Sequence, residues 1–212
     1  MRLKHKPWGE KIIQENLDLV ITPERLKEDI FQNFIKKENL YIEIGSGKGD
    51  FIIEMAKKYP SYHFIAVEMQ SMAIAYIVRK LESENIDNIL LVNSDIGYIF
   101  EELHDIKFQS IFLNFSDPWP KKRQQKRRLT YPTKLKEYAH IIAKDGKLIF
   151  KTDNEPLFID SLEYLKESPF ELVSSTFNYL GDDDFDAPTE YEKKFRTLGT
   201  PIKRYIAKLK ND

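Results

Sequence analysis

The 212-residue chain has no cysteine, which excludes disulfides, thiolate metal sites and thiol nucleophiles and accords with a reducing compartment. Histidine is scarce too: His5, His63, His104 and His140 lie far apart with no metal-ligand spacing, so no metal is expected. No run approaches the roughly 18 uncharged apolar residues that a membrane helix needs. The opening Met-Arg-Leu-Lys-His-Lys-Pro-Trp lacks the apolar core of a secretory signal, and a cytoplasmic protein without membrane association is expected. Neither charge is in excess, the formal net being −1. Chains that bind nucleic acid are often basic overall, but distribution matters more than the sum. Cations concentrate at residues 121–128, while Asp182, Asp183, Asp184, Asp186, Glu190 and Glu192 form a compensating acidic stretch.

What is present is an alternation of short apolar runs with helical patterns. Residues 1–21 lack a clear period and read as an N-terminal arm, with Trp8 as its anchor. Thr22-Pro23 has the form of a helix start. Strands are expected at 40–44, 62–67, 89–93, 110–115 and 147–152, then at 170–178 and 201–209. Helices are expected from Ser71, where Ile74, Ile77, Val78 and Leu81 share one face, and near 96–103, 132–142 and 156–167. No repeat, low-complexity linker or boundary is visible, so residues 1–212 are expected to form one α/β domain: a Rossmann-like, mostly parallel seven-stranded sheet with helices on both faces and an antiparallel last strand. In such sheets ligands sit at the carboxyl ends of the strands.

One such end carries Glu43-Ile-Gly45-Ser-Gly47-Lys-Gly49-Asp50. Glycines there let the backbone approach a ligand closely, although a tight turn without a ligand would look the same. A dinucleotide fingerprint needs glycine at the sixth position from Gly45, which is occupied by Asp50, and the P-loop pattern also fails. Acids at this edge favour a ligand with positive charge and no phosphate, such as S-adenosylmethionine. Glu68 lies twenty-one residues beyond Gly47, the distance at which a carboxylate reaches ribose hydroxyls in this topology. Asp95 is placed either to accept from an adenine amino group or to cap a helix starting at Ile96.

A second strand end opens into Phe115-Ser-Asp117-Pro-Trp119-Pro-Lys121-Lys-Arg123-Gln-Gln-Lys-Arg-Arg128, a stiff turn holding a carboxylate and an aromatic, then a segment in which six of eight residues are basic. Phosphate neutralisation suits the cations, as does a solvated surface. Trp119 suits base stacking or packing in its own turn. Thr189-Glu-Tyr-Glu192 has the form of a capping box.

Together with Ala66-Val-Glu68, Asn93-Ser-Asp95 and Phe150-Lys-Thr-Asp-Asn154, these motifs resemble the bacterial tRNA (guanine-N7-)-methyltransferase family over nearly the whole chain. The resemblance implies a class I methyltransferase fold and methyl transfer from S-adenosylmethionine to N7 of guanine 46 in the tRNA variable loop. It implies cofactor contacts from Glu43, Gly45, Gly47, Glu68, Asp95 and Asp117, with Asp117 also catalytic. Substrate contacts would come from Lys121, Asp153, Thr189, Glu190, Tyr191 and Glu192, and RNA contacts from Arg123, Gln124, Gln125, Lys126, Arg127 and Arg128. Members often carry histidine where this chain has Gln124 or Gln125. The partner expected is tRNA, for a monomer or homodimer. An exocyclic-amine methyltransferase and a non-enzymatic RNA-binding module on the same fold are the competing readings, and a nicotinamide oxidoreductase is disfavoured by Asp50.

Overall fold

The computed structural model describes residues 6–84, 86–181 and 183–210. The chain divides into two compact units, residues 1–103 and 104–212.

In the first unit α1 (Pro7–Glu15) occupies much of the segment read as an arm. Pro7 starts it without losing a hydrogen bond. Trp8 is its anchor: the ring meets Tyr76 edge-on with centroids 5.2 Å apart, and the Arg79 guanidinium lies 5.5 Å from the Trp8 ring. Next come β1 (Val20–Ile21), a 3-10 turn at Pro23–Arg25 and α2 (Asp29–Phe34). The helix expected to open at Thr22-Pro23 is therefore a single turn and then a separate helix. Thr22 makes no side-chain cap, and Arg25 is drawn back to the carbonyls of Leu17 and Val20 at 2.6 and 2.9 Å.

β2 (Leu40–Ile44), β3 (His63–Val67) and β4 (Ile89–Val92) are linked by α3 (Asp50–Lys58) and α4 (Ser71–Leu81). The order β1-β4-β3-β2 is parallel throughout. Every residue of β2 is buried, as expected of a parallel strand covered on both faces. Each buried Leu or Ile there contributes about 1.5–3 kcal/mol. Ile74, Ile77, Val78 and Leu81 of α4 are buried together, as their spacing requires. The helix expected near 96–103 is a 3-10 turn at Ile96–Tyr98 followed by α5 (Phe100–Leu103).

The second unit orders its strands β5-β6-β8-β7, from β5 (Phe108–Asn114), β6 (Ile142–Thr152), β7 (Phe170–Thr176) and β8 (Lys203–Leu209). β5 and β6 are parallel, while β8 runs antiparallel to both β6 and β7. α6 (Pro132–Ile141), α7 (Glu155–Lys166) and α8 (Glu190–Thr197) complete it. Among the described residues there are thus eight strands against the seven expected, still mostly parallel with an antiparallel last strand. The additional one, β1, is two residues long and too short to show alternation. No described helix is long and apolar enough to cross a membrane.

Candidate active site

The glycine loop of the first unit is built by register. β2 and β3 end level, Ile44 opposite Val67, so the Gly45 and Ser46 N–H groups both donate to the Val67 carbonyl at 2.8 and 3.2 Å. Gly45, Gly47 and Gly49 all have positive φ, +78°, +54° and +77°, a region that side chains disfavour. At Gly49 space is limiting as well, since a Cβ there would meet Ile77 Cγ1 at 2.8 Å. Around Gly47 nothing lies within 4 Å of where a Cβ would be.

Glu68, only 6% exposed, closes this loop. Its Oε2 accepts from Gly47 N–H at 3.0 Å and its Oε1 from Gln70 N–H at 2.8 Å. The backbone donor that a phosphate would need is given to the chain's own carboxylate. Glu43 is a second buried acid, 1% exposed, one residue from the end of β2. This anionic, phosphate-free cradle fits S-adenosylmethionine: Glu68 suits hydroxyl donors and the acids suit its cationic groups.

One detail differs from the sequence reading. Asp50 does not edge the loop as an isolated acid: Lys80 of α4 binds its Oδ2 at 2.8 Å and the Lys48 carbonyl at 2.7 Å. Phosphate is disfavoured by Glu68 rather than by Asp50. Asp95 caps the Ile96–Tyr98 turn, its Oδ1 accepting from Gly97 N–H at 2.8 Å.

In the second unit β5 runs into the Asp117 segment. Among the described residues three non-glycines have positive φ, and two of them, Phe115 (+50°) and Trp119 (+40°), bracket Asp117. Each costs about 1–2 kcal/mol, and such strain gathers where geometry is functional. The surroundings hold it in place. Phe115 N–H donates to the Lys151 carbonyl at 2.8 Å, and its ring stacks on Tyr191 and Phe195 of α8 with centroids 6.4 and 6.1 Å away. Trp119 carries the Arg127 guanidinium 5.0 Å from its ring centroid. Asp117 itself is exposed.

The cationic run is not uniform. Residues 122–127 form a 3-10 helix, with Lys121, Lys122, Arg123, Lys126 and Arg127 exposed and Gln124 and Gln125 half-buried. Arg128, grouped with the phosphate contacts by its charge, is buried. Its Nε donates to the Pro118 carbonyl at 2.8 Å, and its Nη1 to Asp160 at 2.6 Å and to the Tyr164 hydroxyl at 3.1 Å. Its charge braces the Asp117 turn and does not face solvent.

The other expected substrate residues gather on the same unit. Asp153 follows β6, half-buried, and its carbonyl accepts from Lys203 Nζ at 3.1 Å. Thr189 caps α8, its Oγ1 accepting from Glu192 N–H at 2.9 Å. The Glu192 side chain departs from the capping-box reading and from a direct substrate contact. It is 1% exposed, and its oxygens meet Lys151 Nζ at 2.9 Å and Arg196 Nη2 at 2.7 Å. Glu190 and Tyr191 are exposed on the same turn.

Much of the acidic stretch is paired internally: Asp183 with Arg204 at 2.6 Å and Asp186 with Lys151 at 2.8 Å. Burial pushes the Asp183 carboxyl up, but its hydrogen bonds from Arg204 and Phe185 N–H and the Arg204 charge outweigh that and hold it below the ordinary value. Asp182 lies outside the described residues. Lys151 lies within Phe150-Lys-Thr-Asp-Asn154, and no signal in the sequence shows that its ammonium is central to this region.

Residues 37–205 match a family described as "Putative methyltransferase". Solved structures share the fold, among them an antibiotic-related methyltransferase (TM-score 0.66, 17% identity, covering 87% of this chain and 95% of that one) and the 16S rRNA methyltransferase KamB (TM-score 0.63, 11% identity, 87% and 94%). Curated relatives are far nearer in sequence. The tRNA (guanine-N(7)-)-methyltransferase of Oceanobacillus iheyensis is 39% identical over 96% of this chain and 97% of its own. That of Levilactobacillus brevis is 42% identical over 98% and 97%. With a strained Asp-Pro-Trp turn, a cationic flank and a phosphate-free glycine cradle in place, this similarity leads to one conclusion: the chain belongs to the tRNA (guanine-N(7)-)-methyltransferase family.

Proposed function

We propose that the protein, working as one catalytic domain in the cytoplasm, methylates N7 of guanine in tRNA, with guanine 46 of the variable loop as target. The observation that carries this is Asp117, exposed between the strained Phe115 and Trp119 and followed by an exposed cationic flank. The relatives' shared activity supports the same reading.

S-adenosylmethionine supplies an electrophilic methyl group on a sulfonium. Glu43, Glu68 and Asp95 are the residues that would hold it, with the glycine loop admitting it closely. Guanine N7 has its own lone pair and no proton to lose, so no general base is needed. The protein's task is to align the base and to stabilise positive charge as it grows on the purine. Asp117 accepts from guanine N1–H and the exocyclic amine. Adenine offers no matching donor pair, and the same carboxylate favours the developing purinium. Trp119 with Arg127 forms one wall beside it. Lys121, Arg123, Lys126 and Arg127 neutralise phosphates.

The test is transfer of labelled methyl to unmodified tRNA, followed by borohydride and aniline treatment. N7-methylguanine yields strand scission at position 46. Label without scission would point to the exocyclic-amine alternative.

A further inference from the structure

We infer that Lys151 is a positioning residue for the tRNA-facing part of the site, an inference that rests on the function proposed above. Lys151 is fully buried, 0% exposed, near the end of β6. Its ammonium meets Asp186 Oδ1 and Oδ2 at 2.8 and 2.9 Å, the Ala187 carbonyl at 3.1 Å and Glu192 Oε2 at 2.9 Å. Its main chain is committed as well. The Lys151 carbonyl accepts from the N–H of strained Phe115 at 2.8 Å. One residue thus fixes the entry to the Asp117 turn through its backbone and the 186–192 segment through its side chain.

The cluster around it is charge-balanced. Arg196 holds the other Glu192 oxygen at 2.7 Å, and the Tyr179 hydroxyl donates to Asp186 Oδ2 at 2.9 Å. Burial, with the neighbouring Asp186 charge, pushes the Tyr179 phenol well up, so it stays a donor throughout the working pH range. Desolvating such a set contributes little net stability compared with an apolar core of similar shape. What it provides is a single geometry: several directed bonds converge on one ammonium, and each alternative placement of 186–192 leaves a buried charge unmatched. The Tyr191 and Phe195 rings stacked on Phe115 belong to the helix so fixed. Glu192 therefore acts behind the RNA-facing surface, while Glu190 and Tyr191 present the edge that it and Lys151 hold.

The experiment compares wild type with Lys151→Met and with the triple variant Lys151→Met/Asp186→Asn/Glu192→Gln, which removes the ammonium together with both carboxylates that meet it. The triple variant leaves only Arg196, which reaches solvent, without its carboxylate, so it decides the matter if the single variant does not fold. KM for tRNA is expected to rise at least tenfold in the triple variant, with affinity for S-adenosylmethionine unchanged and amide exchange accelerated over residues 186–195. A folded triple variant with wild-type KM and unchanged exchange overturns the inference. Absence of tRNA methylation by the wild type overturns the proposed function instead, and the exchange measurement still decides whether Lys151 fixes the segment.

Discussion

Arg128 Nε donates to the carbonyl of Pro118 at 2.8 Å, ten residues back along the chain. The last cation of the basic run is thereby turned into the Asp117 loop, with Asp160 and Tyr164 completing its coordination.

Replacing Arg128 with Met is expected to lower stability by about 1.5–3 kcal/mol, the usual range for hydrogen bonds to a charged group, and to slow methyl transfer. The salt dependence of tRNA binding should not change. Urea denaturation and a binding series in salt check both halves. A reduced slope at normal stability would return Arg128 to the phosphate contacts.

The exposed cations behave in the opposite way. Arg123→Ala and Lys126→Ala should each reduce the slope of log affinity against log salt by roughly 0.7–0.9, and the pair by the sum. Their stability changes should stay within about 0.5 kcal/mol of zero.

Asp117→Ala is expected to reduce single-turnover transfer by at least about a hundredfold, in line with removal of one preorganised electrostatic contact. Because the side chain is exposed, the thermal midpoint should barely move, and tRNA binding should persist. Near-normal turnover would remove Asp117 from its role.

These expectations show how far side-chain type and spacing carry. The positions of Glu68, next after β3, and Asp117, three residues past β5, are legible because the alternation of elements fixes where each strand ends. Strain at Phe115 and Trp119 is not legible: positive φ in an aromatic leaves no mark in composition and is sustained by partners distant in sequence, Lys151 and Tyr191 among them. Charge density likewise does not show which cation turns inward, so Arg128 reads like its neighbours. Glu192 fits a local capping pattern, yet its carboxylate is claimed by Lys151, forty-one residues earlier. Helix α1 was hidden for a related reason, since its burial comes chiefly through Trp8 and Gly9 against α4.

Gly49→Ala combines a φ of +77° with a Cβ position 2.8 Å from Ile77 Cγ1. A loss of about 1–2 kcal/mol is expected from the backbone alone. Calorimetry should also show weaker S-adenosylmethionine binding, because α4 and the glycine loop cannot both keep their places. Unchanged binding and stability would contradict the close approach of the loop to α4.

Asp183 gives a pH prediction. Its carboxyl is held below the ordinary 3.8, chiefly by Arg204 acting against burial. The stability it contributes is present above that ordinary value and is lost as pH falls through the lower folded value. Asp183→Asn should therefore melt earlier than wild type at neutral pH, and the two curves should converge in acid, below about pH 4. A gap independent of pH would contradict the Arg204 pairing.

The most direct test of the account uses tRNA carrying 7-deazaguanine at position 46, in which carbon replaces the proposed nucleophile and the Watson–Crick edge is retained. Single-turnover methyl transfer to this tRNA is expected to vanish while its binding affinity stays within a few-fold of the unmodified tRNA. Methyl incorporation at that residue despite the missing N7 would contradict it.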